Sequence, residues 1–278
     1  MIPVRIIPVI LVFIILAACK NDTAPVDDSK EKLRLSSVRV YMRETGEFNQ
    51  SHFLTGTMIN YPEFYGNTAI SDGGIGGTGS IKNGLLNYSI ENPNALDPVS
   101  PDEFELSMIK GIYSDITISR NDANAAFLRL VPSDDSGYNL LYRELCTISP
   151  VLNSMTSISI KLTIGTVNYI YIDKDCTINA QGSKNSYPLA DLPFYEYLED
   201  FPYTLAMTTV ELNANTVNLK LRKGWNTVHS TLTITLIPSD SSDIVIESIT
   251  GDIKTTIDNP STHKWVIGKM YSASEVFP

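Results

Sequence analysis

Apolar and polar residues alternate along Ser157–Ile164, whose sequence is SISIKLTI. Because successive side chains of a β-strand point to opposite faces, this period of two predicts a strand with one buried and one solvated face. The same alternation recurs in Val38–Arg43, Val217–Arg222 and Leu232–Leu236, where threonine and tyrosine, which favour pleated surfaces, are frequent. The repeated pattern predicts a chain built mainly from half-buried strands.

Turn signals between these runs point the same way. Asn83-Gly84 lies between two strand-like runs and is a strong hairpin signal, since both central positions of a type I′ turn need a positive φ. Lys223-Gly224 separates two further runs. One short helix is predicted over 192–199, with Asp191 as its N-cap and Pro193 in its first turn. The sequence therefore predicts an all-β protein, an antiparallel β-sandwich of the immunoglobulin-like or transthyretin-like kind.

The N-terminus has the pattern of an export signal. A short apolar run, Ile6–Ile15, follows Arg5 and leads into Leu16-Ala17-Ala18-Cys19. About ten apolar residues are too few to cross a hydrocarbon core of roughly 30 Å as a helix, which favours a secretion signal over a membrane span. The Leu-Ala-Ala-Cys sequence resembles the lipobox of bacterial lipoproteins, and the resemblance implies removal of a signal peptide of residues 1–18 and acylation of Cys19, with palmitate among the acyl chains. The alternative is an uncleaved N-terminal anchor that contains a cysteine by chance.

The same resemblance implies a place in the cell envelope. Lys20, rather than Asp, follows the cysteine, and in Gram-negative lipoproteins this implies delivery to the outer membrane. Residues 19–32 are polar and charged and predict a flexible tether. We expect a β-sandwich domain over 33–238, with 239–278 as a C-terminal extension packed on it or adding a strand pair. A division into two β domains near 150–155 is the alternative.

The charge of the chain narrows the class of partner. The formal net charge is −10, and removal of Arg5 with the signal peptide would lower it to −11. An acidic chain is repelled by nucleic acid and by anionic headgroups, so we expect no nucleic-acid partner and membrane contact only through the N-terminal lipid. The oligomeric state is left open.

Two cysteines remain besides Cys19. Cys146 and Cys176 could form a disulfide in an exported protein, or could be two buried thiols, since both lie in alternating apolar segments. Three segments, Gly79–Ile90, Asn168–Ile178 and Leu221–Val228, are similar to stretches of small uncharacterised lipoproteins of spirochaete-type and other host-associated anaerobic bacteria. That resemblance implies scaffold only, and Cys176 stands in it where an aliphatic residue is expected, which favours a buried thiol.

The sequence contains no motif that fits catalysis, a metal or a cofactor, and we expect none of these. Gly74–Gly79 satisfies G-x-G-x-x-G, but a dinucleotide site needs a helix after it and a hairpin is predicted instead. His52, His229 and His263 are isolated, which gives no zinc-site spacing. Three acidic pairs could ligate Ca²⁺ but are better explained as turn residues: Asp173 and Asp175, Asp134 and Asp135, and Asp240 and Asp243.

The most ligand-like segment is aromatic. Candidate ligand-binding residues there are Phe194, Tyr195, Tyr197 and Tyr203, with carboxylates among them; aromatic faces beside carboxylates can stack on sugars, although the same residues could cover an end of the sandwich. Trp225 and Trp265 are predicted to lie in the core. The leading hypothesis is a non-enzymatic, membrane-anchored lipoprotein that binds a protein or a glycan. The alternatives are a polysaccharide-active hydrolase or its accessory subunit, and a purely structural envelope lipoprotein.

Overall fold

The structure, a computed structural model, describes residues 32–42, 62–100, 111–133, 140–152, 158–192, 204–238, 245–258 and 260–268. Nearly all of the regular structure in this part of the chain is strand, which confirms the predicted all-β, sandwich-like fold. The strands are β1 (Leu33–Met42), β2 (Thr68–Ser71), β3 (Thr78–Lys82), β4 (Leu85–Ile90), β5 (Asp97–Pro98), β6 (Tyr113–Ile118), β7 (Asn124–Phe127), β8 (Val131–Pro132), β9 (Leu140–Leu152), β10 (Ile158–Ile172), β11 (Cys176–Gly182), β12 (Lys184–Pro188), β13 (Thr204–Leu205), β14 (Thr209–Ala214), β15 (Val217–Leu221), β16 (Gly224–Pro238), β17 (Val245–Ile257) and β18 (Lys264–Gly268).

The strands form a large sheet and a small one. The large sheet runs in the order β12-β14-β17-β16-β10-β9-β18-β1-β4-β3-β2-β8, with β5, β7 and β13 attached to it, and the small sheet runs β15-β11-β6. Most neighbours are antiparallel, but β18 is parallel to β1, and β17 is parallel to β13 and β14. The sheet is therefore mixed, whereas the sequence predicts a purely antiparallel one. Parallel neighbours need long connections, and these pairs are far enough apart in sequence to provide them.

Strand β10 lies between two hydrophobic cores. Ile170 and Ile172 face one core, which the small sheet covers, whereas Val167, Tyr169 and Tyr171 face the other. The alternation read from Ser157–Ile164 thus continues into a segment that is apolar on both faces. Trp225 and Trp265 are buried in the second core, as predicted.

The predicted turns form as their chemistry requires. Asn83 and Gly84 have φ values of 50° and 73° and join β3 to β4, and Gly224, with φ of 97°, begins β16. Gly84 is also needed for space, since a Cβ there would overlap the carbonyl oxygen of Phe64.

The helix predicted over 192–199 does not begin where expected. Asp191 ends a short 3₁₀ turn, Leu189–Asp191, and Leu192 is extended, with φ of −91° and ψ of 134°. The 3₁₀ turn is stabilised at its end by the Leu192 N–H, which donates to the Leu189 carbonyl, rather than by an Asp191 cap. Residues 193–199 lie outside the described residues.

The C-terminal strands belong to the large sheet. β17 pairs with β16 along most of its length, and β18 lies between β9 and β1. Hydrogen bonding also joins β9 to β10 on either side of 153–157. The large sheet therefore contains strands on both sides of residue 238 and on both sides of residues 150–155, the two places where the sequence suggests a domain boundary.

Cys176 is a free, buried cysteine at the start of β11. Burial first, and then the negative charges of Asp173 and Asp175, raise the pKa of its thiol. Cys146 lies on β9 opposite Ile164, and its side chain is not among those described.

Candidate binding surface

Three neighbouring strands place two rows of polar side chains on the outer face of the large sheet. The register puts Arg34 of β1 opposite Ser89 of β4, and Ser89 opposite Thr78 of β3. The next row on the same face contains Asn87 opposite Ser80, with Ser36 at the β1 end. Leucine, isoleucine and tyrosine residues between these positions point into the core, so the alternation of each strand separates a polar outer face from an apolar inner one.

These rows line a shallow depression of about 410 Å³ that is open rather than enclosed. We call it the Arg34 groove. It is lined by Arg34, Leu35, Ser36, Thr78, Gly79, Ser80, Asn87, Tyr88 and Ser89, all of them on β1, β3 and β4. Its volume lies within the range of small-molecule sites.

A β-bulge shapes the β1 wall of the groove. The pairing of β1 with β4 shifts between Leu35 and Val38, and Ser37 has a positive φ of 53°. The Ser37 N–H donates to Asn87 Oδ1 at 2.9 Å. Because a main-chain N–H can only donate, this bond identifies Oδ1 as the acceptor and leaves the Asn87 Nδ2 group as a donor at the groove.

Arg34 is the charged group of the groove. Its Nε donates to Ser36 Oγ at 3.1 Å, which orients the guanidinium, and among the described residues no ion pair involves Arg34. Glu91, the residue that follows β4, is paired with Lys32 at 2.8 Å. Within the part of the chain that the structure describes, the groove therefore combines one cation that has no acidic partner with an amide donor and several hydroxyls, and its lining contains no acidic residue.

The floor of the groove is anchored from the core side. Tyr88 is buried, and a Cβ at Gly79 would lie 2.7 Å from Tyr88 Cδ2, so the glycine makes room for the ring. The Tyr88 hydroxyl donates to buried Asp72 at 2.8 Å. Burial, followed by the hydrogen bond to Asp72, raises the pKa of Tyr88 far above its usual range, so the hydroxyl stays a donor.

The glycine-rich segment Gly74–Gly79 also contacts Asp72. Asp72 accepts hydrogen bonds from the main-chain N–H groups of Gly74 and Gly77, and β3 follows directly. These N–H groups, which would cradle phosphate in a dinucleotide site, are directed at a carboxylate of the chain itself. The hairpin that the sequence predicts after this pattern, in place of a helix, is confirmed by β3 and β4.

Two histidines that are isolated in the sequence meet in the structure. His229 of β16 and His263, just before β18, lie edge to face with ring centroids 4.7 Å apart, both above Gly165 of β10. His229 Nε2 lies 3.0 Å from the Thr231 hydroxyl, whereas His263 Nε2 is buried and has no hydrogen-bond partner among the residues that the structure describes. Burial first, and then His229 and Arg143, lower the pKa of His263 to about 4.

Arg143 fastens the segment that carries His263. This buried arginine of β9 donates to the carbonyl oxygens of Pro260 at 2.6 Å and His263 at 3.4 Å, and to the Tyr169 hydroxyl at 2.8 Å. The Tyr169 ring stacks on Trp265 with centroids 5.7 Å apart. No group of three or more His, Cys, Asp or Glu side chains in the described part of the chain could hold a metal ion. The contacts of this histidine cluster are those of a clamp that holds β18 against β9.

The other residues selected from the sequence are accounted for as follows. Asp173 accepts from the Asn124 N–H and side-chain amide, and Asp175 pairs with Arg222, so this acidic pair holds turns together, as interpreted. The following lie outside the described residues: Cys19, His52, Asp134, Asp135, Phe194, Tyr195, Tyr197, Tyr203, Asp240 and Asp243.

Comparison of the chain with known protein families, curated proteins and solved structures gives no match. No helix within the described ranges is long and apolar enough to span a membrane.

Proposed function

We propose that the protein is an exported bacterial lipoprotein, anchored in the outer membrane through Cys19, that binds a glycan or protein partner without catalysing a reaction. The lipobox resemblance at 16–19 and the tether of residues 19–32 support the anchor. The observation that carries the binding function is the Arg34 groove, where Arg34 has no acidic partner among the described residues and the lining includes the Asn87 amide and several hydroxyl side chains that can donate hydrogen bonds.

The tether is compatible with this role. Fourteen bonds separate Cys19 from Leu33, the first residue of β1, so an extended chain would reach at most about 50 Å. Arg34 is the second residue of β1, and the groove therefore lies at the membrane-linked end of the described chain. The proposed function places this binding surface within a few tens of ångströms of the membrane.

The anchor is tested by expressing the full chain and the Cys19→Ala variant in a Gram-negative host and following palmitate incorporation and membrane fractionation. We expect labelling and outer-membrane association of the wild type, and loss of both in C19A. Cys146→Ala is the matched control, since it removes a cysteine outside the lipobox and should leave labelling unchanged. Equal labelling of C19A and wild type would contradict the anchor.

The binding function is tested by presenting the full-length protein in detergent micelles to a glycan array and a protein array. We expect saturable binding to at least one class of probe. Absence of binding to every probe by folded, lipidated protein would contradict the proposed function.

A further inference from the structure

The Arg34 groove contains the features that a carboxylated sugar requires. We propose that the groove binds a uronic-acid residue within a polysaccharide chain, with the sugar carboxylate on the guanidinium of Arg34. This inference rests on the proposed function of the chain as a binding lipoprotein. It assigns the ligand class and the residue that reads its charge.

The hydrogen bonds that Arg34 and Asn87 already make indicate the charge of the ligand. Arg34 uses Nε for Ser36 Oγ, which leaves the N–H groups of both terminal nitrogens for a ligand, in a planar group that can bind a carboxylate bidentately. Asn87 uses its Oδ1 for the Ser37 N–H and keeps Nδ2 as a donor. A groove that offers donors and one positive charge without an acidic partner among the described residues is complementary to an anionic ligand rich in acceptors.

The hydroxyls around Arg34 indicate a sugar rather than a small acid. Ser89 and Thr78 continue the row that starts at Arg34, and Ser80 lies in the next row, beside Asn87. Adjacent strands are about 4.8 Å apart and alternate residues of one strand about 7 Å apart, spacings on the scale of a sugar ring and its hydroxyls. Hydroxyl side chains can both donate and accept, as recognition of sugar hydroxyls requires.

The shape of the groove indicates an internal sugar. The depression is open rather than enclosed, and its described lining lies within three strands of one sheet face. A closed pocket would suit the terminal sugar of a glycan, whereas an open groove allows the chain to continue on either side of the bound residue. We therefore assign an internal uronate rather than a terminal acidic sugar such as sialic acid.

The acidic character of the whole chain predicts how salt acts on this binding. The net charge of −10 repels an anionic polymer at long range, while the Arg34 contact acts at short range. Added salt should screen the repulsion as well as the contact. We expect only a weak dependence of affinity on salt between about 50 and 200 mM, unlike the steep loss typical of non-specific binding of polyanions to basic patches.

The test is a titration of the full-length protein in detergent with a galacturonate tetrasaccharide, a glucuronate-containing tetrasaccharide, the methyl-esterified galacturonate tetrasaccharide and sialyllactose. We expect at least one of the two uronates to bind, and its affinity to exceed that of the uncharged ester by about tenfold or more, because a bidentate charged hydrogen bond is lost in the ester. Equal affinity for acid and ester would overturn the proposal. Preference for sialyllactose would overturn the assignment of an internal uronate.

Three variants locate the site. Arg34→Gln should weaken uronate binding by about tenfold or more, whereas Arg120→Gln, which removes the same charge from an exposed pair with Asp122 on a turn after β6, should leave it unchanged. Asn87→Asp keeps the acceptor for the Ser37 N–H but places a negative charge in the groove, so it should also weaken binding. Unchanged affinity in both R34Q and N87D would overturn the proposal. Unfolding curves followed by tryptophan fluorescence verify that each variant is folded. If R34Q does not fold, the uronate affinity of N87D alone tests the proposal.

The failure of this inference can be told apart from failure of the proposed function. If the array identifies a ligand but neither uronate binds, the groove assignment is overturned and the binding function stands. If no probe of any kind binds, both fail.

Discussion

The histidine cluster predicts that the folded protein loses stability on mild acidification, and that His263 accounts for a separable part of the loss. The His263 side chain is 7 % exposed and lies against His229, with Arg143 bonded to its carbonyl oxygen. Asp258 favours the charged form, and its effect on the pKa of His263 is smaller than those of burial, His229 and Arg143. The folded protein therefore resists protonation of this ring.

The sign and size of the effect follow from linkage. The pKa of histidine is 6.5 in the unfolded chain and about 4 at His263 in the folded protein. As the pH falls below 6.5, His263 becomes protonated in the unfolded chain but stays neutral in the folded protein. The free energy of unfolding therefore falls until the pH reaches about 4. The full gap corresponds to about 3 kcal/mol. Residues 261 and 262, which precede His263, are exposed, so solvent screens part of the electrostatic effect. We therefore expect about half of the 3 kcal/mol, of which about 1 kcal/mol is lost between pH 7 and pH 5.

The measurement is urea unfolding of the full-length protein in detergent at pH 7.0, 6.0 and 5.0. The emission of Trp225 and Trp265 reports the transition, since these are the two tryptophans of the chain and both are buried. His263→Leu is the reference variant, because it fills the site with an apolar side chain that does not titrate. Other titrating groups contribute to both proteins, so the difference between them isolates His263.

We expect H263L to lose about 1 kcal/mol less than the wild type between pH 7 and pH 5. His229→Gln should show a smaller pH effect than the wild type, because the repulsion from the second imidazole is removed and the pKa of His263 rises toward 6.5. Parallel loss of stability in wild type and H263L would refute the reasoning.

Two further predictions concern the turns and the floor of the groove. Gly84→Ala and Gly73→Ala both place Ala at a φ of +73°, but only at Gly84 would the new Cβ overlap a neighbouring main-chain carbonyl. In urea unfolding we expect a loss of about 1 kcal/mol for G73A and at least about 2 kcal/mol more for G84A, and equal losses would contradict the strand register around the hairpin. Tyr88→Phe removes the hydroxyl that donates to buried Asp72 and should lower the free energy of unfolding by about 1–3 kcal/mol; a neutral effect would show that this bond does not hold the turn.

The sequence predicts those parts of the fold that local chemistry determines. Alternation in Ser157–Ile164 is a property of one strand, and the Asn83-Gly84 turn needs no distant residue, so the strand, which begins at Ile158, and the turn are confirmed. Ser159, which the alternation places on the solvated face, is buried, because the packing around β10 is not encoded in the strand itself. The parallel placement of β18 beside β1 is different, because it pairs Val40 with Trp265 across most of the chain. No local signal encodes such a pairing, and the mixed character of the sheet is for that reason not predicted.

The difference between local and long-range pairing also explains which part of the Arg34 groove can be predicted from the sequence. A two-residue hairpin at Asn83-Gly84 fixes the register of its strands, so the pairs Ser80–Asn87 and Thr78–Ser89 follow from the sequence. The addition of Arg34 depends on the pairing of β1 with β4, across more than fifty residues. Arginine and serine are common on solvated faces, and their composition alone gives no indication of a site. His229 and His263 are likewise brought together by the pairing of strands.

The two sides of β4 also explain why a shallow groove could bind with useful affinity. On the outer face, the Ser37 N–H holds the amide of Asn87, and on the inner face, the Tyr88 hydroxyl is held by Asp72. The donors are thereby oriented before a ligand arrives, so binding loses little side-chain entropy. Loosening the inner side should then weaken uronate binding without removing any ligand contact. Y88F is expected to lower affinity for acid and ester alike, whereas R34Q should abolish the difference between them, so the two variants separate orientation of the groove from recognition of charge.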